Sequence, residues 1–115
     1  MRTRLNHVRA NVRNLQNAMD WYCQVLDFEV DGLWPVDAPI YAAFASQDGA
    51  TFAIGVAEPV PSGARFNFEI QDVDAVWERL KDKVEILEAL YDTPYGTRKF
   101  TIRDLDGNEL GFTKG

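Results

Sequence analysis

The chain has 115 residues, 46% of them hydrophobic and 26% charged, a balance that supports one compact domain and argues against disorder. A formal net charge of −6 opposes a nucleic-acid partner, because phosphate binding needs a basic surface, while permitting attraction of a cationic ligand. The single cysteine, Cys23, excludes an internal disulfide framework and a thiolate metal cluster, and no apolar run reaches the roughly 20 residues of a membrane span.

The polar opening Met1-Arg-Thr-Arg-Leu-Asn-His7 is unlike a secretory signal, which makes cytoplasm the expected compartment. From Leu5 to Val12, apolar Val8, Ala10 and Val12 alternate with His7, Arg9 and Asn11, the pattern of a half-buried strand. Asn14 then caps a helix to about Leu26, in which Leu15, Ala18, Met19, Tyr22, Val25 and Leu26 form an apolar stripe. Strands are expected at about 28–34, 40–46 and 51–57, the last two joined by the hairpin signal Asp48-Gly49. The stretch 58–63, Glu-Pro-Val-Pro-Ser-Gly, has linker composition.

Phe66, Phe68 and Ile70 next alternate with Arg65, Asn67 and Glu69, and Asp72 caps a helix to about Lys83 whose buried side carries Val73, Val76, Trp77 and Leu80. Strands follow at about 84–90, 98–103 and 109–113. Asp104-Leu-Asp-Gly-Asn108 makes the last hairpin turn, with Gly107 supplying a positive φ.

Residues 48–56 align without a gap on residues 106–114 at an offset of 58, and the same offset places Asn14 on Asp72. The chain therefore reads as an α+β fold of two tandem βαβββ modules, about 1–58 and 59–115, within one domain spanning 1–115. Such a duplication implies a pseudo-twofold cleft between the copies.

The order of elements and the ending Tyr95-Gly-Thr-Arg98 … Phe100-Thr-Ile-Arg-Asp-Leu-Asp-Gly-Asn108 resemble the glyoxalase/bleomycin resistance protein/dioxygenase group, the vicinal oxygen chelate superfamily. The likeness extends from Asn6-His7-Val8 through Met19-Asp-Trp-Tyr22 and Val25-Leu-Asp-Phe28 to Phe112. It implies modules that curl around a shared cleft, commonly within a homodimer. It also implies, for the enzymes of the group, a divalent ion held by one side chain from the first and one from the fourth strand of each module.

At those positions the sequence holds His7, Ala53, Arg65 and Gly111. A guanidinium has no lone pair to donate and repels an ion, and one imidazole cannot replace the three protein ligands usual in a catalytic site. No metal and no other cofactor is therefore expected. A displaced site using His7, Glu69 and Glu109 is the alternative.

The polar faces of the first strands direct His7, Arg9, Asn11, Arg65, Asn67 and Glu69 toward the expected cleft, joined by Thr51, Glu109 and Thr113 from the fourth strands. Tyr41, Ala43, Lys99 and Thr101 follow by the same alternation, while Trp34, Tyr91 and Tyr95 sit at strand ends or in loops where they form aromatic walls. Two readings of Arg9, Arg65 and Glu69 stand side by side: a structural network, or contacts to a ligand carboxylate or phosphate. His7 reads either as a structural imidazole or as a proton-transfer group. Trp21 and Trp77, on helices, read as core or dimer-packing residues.

The functional reading is a small-molecule binding protein that sequesters an antibiotic or a small metabolite, with a homodimer as its expected assembly and neither nucleic acid nor membrane as a partner. A metal-dependent lyase, isomerase or dioxygenase with a displaced ion is the alternative. No residue is assigned a catalytic role.

Overall fold

Alternation at the start of the chain becomes strand β1, His7–Val12, and the apolar stripe that follows becomes helix α1, Leu15–Gln24. The Asn14 side chain accepts the Asn17 N–H at 2.9 Å, satisfying a donor that the first helical turn cannot. The helix stops before Leu26, because Val25 closes it with its N–H on the Trp21 carbonyl. Asp27 takes a left-handed φ of 63° and the Phe28 N–H returns to the Tyr22 carbonyl at 3.0 Å, so the next strand, β2, begins only at Val30 and runs to Trp34. Strands β3, Tyr41–Phe44, and β4, Thr51–Val56, complete the first sheet in the order β1-β4-β3-β2.

This computed structural model describes residues 1–60 and 64–114; residues 61–63 of the expected connector and residue 115 lie outside the described residues. The chain divides into two compact units, Met1–Val60 and Pro61–Gly115. In the second, β5 (Arg65–Glu69), α2 (Val73–Leu80), β6 (Glu85–Asp92), β7 (Arg98–Arg103) and β8 (Glu109–Lys114) repeat the plan, with sheet order β5-β8-β7-β6. Asp72 caps α2 through Ala75 N–H at 3.0 Å.

The duplication extends to register. In the first sheet β1 runs parallel to β4 with His7 opposite Thr51, and in the second β5 runs parallel to β8 with Arg65 opposite Glu109, the positions an offset of 58 demands. The antiparallel pairs Ala43–Ala53 and Thr101–Gly111 correspond in the same way. A one-residue slip would turn every buried side chain outward, so the apolar face of each strand holds this register in place.

Each unit has its own core between helix and sheet. In the first, Tyr22 is 1% exposed and its ring lies 5.1 to 5.8 Å from those of Phe28, Phe44 and Phe52. In the second, Phe100 is fully buried against Trp77 and Phe112, both at 5.3 Å. Trp77 thus joins its unit's core, and Trp21 packs edge-on against Tyr22. Among the described residues no helix is long and apolar enough to cross a membrane.

Candidate functional site

The helix occupies one face of each sheet and leaves the other to polar residues. In the first unit that open face carries His7, Arg9 and Asn11 from β1, with Thr51, Ala53 and Gly55 beside them on β4. Tyr41 and Ala43 follow on β3, then Trp34 and Gly32 on β2. Tyr41 reaches across the strand between them to put its hydroxyl 2.7 Å from His7 Nε2, with the two rings stacked at 5.8 Å. This span is free because Ala43 and Ala53 rise so little from the sheet.

Gly55 makes room on this floor for the Arg9 stem. A Cβ there would lie 2.6 Å from Arg9 Cδ, so the arginine stem can rest on the neighbouring strand only because position 55 has no side chain. Asn11 donates from Nδ2 to the Glu58 carbonyl at 3.2 Å. Trp34, opposite Tyr41 in the ladder, is 63% exposed.

The second unit builds a different surface on the same frame. Arg65 donates through Nη1 to Glu88 at 2.7 Å and through Nε to Glu109 at 3.1 Å, while Thr101 donates to the same Glu88 oxygen at 2.8 Å. Lys99 lies buried on this face, and Glu69 stands exposed at the end of β5. Asn67 lies over Gly111, where a Cβ would fall 2.1 Å from Asn67 Oδ1. Tyr95 is on the β6–β7 turn, 71% exposed, apart from the ion-pair network.

Glu88 is the member that reading the sequence missed. Strict alternation along β6 would put Leu87 on the polar face and Glu88 among the core residues. Register shifts on either side of Glu88 place it opposite Thr101, and Tyr91 opposite Lys99. The available hint was the carboxylate itself: a glutamate on a helix-covered face signals a slipped register.

Thr101's hydroxyl is the largest cause holding the Glu88 carboxyl below the ordinary glutamate range; desolvation opposes it, and the charges of Arg65 and Lys99 add to the lowering. A carboxyl lowered in the folded state stabilises the fold above its unfolded pKa, and that contribution disappears as pH falls through the folded value. Carboxyl NMR is therefore expected to show Glu88 titrating below ordinary glutamates, with Thr101→Val moving the midpoint upward. An unchanged midpoint would mean that the hydroxyl is not its main anchor.

The side chains do not fit the ion implied by the resemblance. Ala53 and Gly111 offer no donor, the space above Gly111 is filled by Asn67, and Arg65 is bound to two carboxylates. Glu109, the nearest substitute, already pairs with Arg65. Among the described residues no three His, Cys, Asp or Glu side chains gather in a metal-binding group. Cys23, half-buried, has its thiol pushed up by desolvation and then by Asp20, the reverse of an activated nucleophile.

A hollow of about 350 Å³ in the second unit is lined by Asp92, Thr93, Gly96, Thr97, Arg98 and Lys114. None of the sequence-predicted site residues borders it. Arg98 there is braced by Asp74 and Asp92, at 3.0 and 3.1 Å.

The model of the glyoxalase/bleomycin resistance protein/dioxygenase superfamily matches residues 4–112. The chain belongs to that superfamily. No curated protein matches the sequence. Among solved structures, TnmS3, an antibiotic binding protein from Streptomyces sp. CB03234, is similar with a TM-score of 0.79 and 21% identity over 97% of this chain and 95% of its own. A superfamily member from Sphaerobacter thermophilus DSM 20745 gives 0.78 at 18% identity, covering 98% of each chain. TioX from Micromonospora sp. ML1 gives 0.75 at 21% identity, over 96% of this chain and 97% of its own. At such identities these three show the superfamily fold alone.

Proposed function

We propose that this chain is a metal-free small-molecule binding protein, whose ligand is an antibiotic or a small metabolite held by the polar sheet faces. The observation that carries this reading is the loss of the ion positions to groups that bind no metal: Arg65 tied to Glu88 and Glu109, and Asn67 lying over Gly111. What those faces present is hydrogen-bonding capacity beside aromatic surface, His7 with Tyr41 and Trp34, which suits an organic ligand. The antibiotic-binding description of TnmS3 supports screening antibiotics first. The two units act in this reading as one domain, and the assembly is a homodimer.

A melting screen of antibiotics, amino acids and organic acids, run with and without chelator, tests the proposal. A ligand at about 100 times its Kd adds roughly 2.7 kcal/mol, which raises the melting temperature by several degrees. The shift is expected to persist in chelator. A turnover that chelator abolishes would establish the metal-dependent alternative instead.

A further inference from the structure

The two sheets treat their arginines differently. Arg65 is engaged by two carboxylates, and the face around it also holds Glu69 and Lys99. Arg9 forms no ion pair or hydrogen bond among the described residues and is exposed. The ladder-paired positions on its face, from His7 across to Trp34, carry no carboxylate. In a chain of net charge −6, Arg9 is thus an exposed cation with no ion-pair partner among the described residues of its own sheet face.

The face is also shaped to present that charge. Gly55 lets the Arg9 stem lie flat on β4, and the ladder sets Tyr41 opposite Gly55, so guanidinium stem and phenol ring share one stretch of sheet. An exposed guanidinium on a face that also carries Tyr41 and Trp34, with the tyrosine hydroxyl already committed to His7, is complementary to an aromatic group bearing an anion. We propose that the open face of the first sheet recognises an aromatic carboxylate or a comparable planar anion, with Arg9 as the residue that selects for charge. The ring packs against Tyr41 and the exposed Trp34 beside it, and the carboxylate meets Arg9. This inference rests on the binding-protein reading and narrows it, assigning anion recognition to one arginine where the sequence offered two.

The test is a titration of nitrogen-labelled protein with benzoate and, separately, with benzamide, which keeps the ring and removes the charge. Benzoate is expected to give saturable shifts at Trp34, Tyr41, Gly55 and the Arg9 Nε–H, with roughly tenfold tighter binding than benzamide. Arg9→Gln, a substitution at an exposed position, is expected to abolish that preference. Absence of benzoate shifts on this face, equal affinity for the two probes, or a preference lost in Arg65→Gln and kept in Arg9→Gln would each overturn the assignment. Equal affinity would leave the binding-protein reading intact, whereas a melting screen without any hit would end that reading by itself.

Discussion

Tyr22→Ala is expected to destabilise the protein by about 3–5 kcal/mol, read from the midpoint of urea unfolding at unchanged slope. The residue is the hub of the first unit's core. Its ring is 1% exposed and touches those of Trp21, Phe28, Phe44 and Phe52, which come from the helix, the turn after it and two strands of the sheet. Truncation removes the transfer energy of an aromatic ring and leaves a cavity among partners that cannot all move inward, because Phe44 and Phe52 are anchored in neighbouring strands. The loss also bears on function, since the opposite face of those strands carries Tyr41, Ala53 and Gly55. A loss below about 1 kcal/mol would show that the aromatic cluster is loosely packed and that the sheet keeps its form without it.

Why so much of this architecture was legible can be seen from where each signal originates. Caps at Asn14 and Asp72, the positive φ of Gly107 and the alternation of Val8, Ala10 and Val12 are local, each decided within a few residues of chain. Register was legible because the duplication states it twice: His7 opposite Thr51 and Arg65 opposite Glu109 are one pairing at an offset of 58.

The illegible parts are those set by neighbours distant in sequence. The shifts in β6 depend on how the strand fits against β7, and they alone deliver Glu88 to Arg65, 23 residues away along the chain. The bond from His7 to Tyr41 crosses an intervening strand, and no periodicity encodes it. Composition likewise gave Arg9 and Arg65 equal standing. Only the placement of carboxylates separates an arginine engaged in a network from one that is exposed without a partner.

The second large effect belongs to the turn between β7 and β8. Asp104 is 7% exposed, and its carboxylate accepts the backbone N–H groups of Asp106 and Asn108 and the Asn108 side-chain amide, all at 2.9 Å. Replacing it with alanine removes a charged acceptor from three donors and leaves two backbone amides to find water at a crowded turn. Hydrogen bonds to a charged group contribute about 1.5–3 kcal/mol each in net terms, but water reaches part of this turn, so a loss of about 2–4 kcal/mol is expected for Asp104→Ala. Asp104→Asn keeps the shape and one acceptor oxygen, and is expected to lose roughly half as much. The turn ends at Glu109, which begins β8 and pairs with Arg65, so loosening it should also disturb the Arg65–Glu88–Glu109 network. The Glu88 carboxyl titration is the second readout: a moved midpoint in Asp104→Ala ties the turn to the polar face. If stability and titration both stay at wild-type values, then the Gly107 conformation and the backbone bonds between Asp104 and Asn108 hold the turn without the carboxylate.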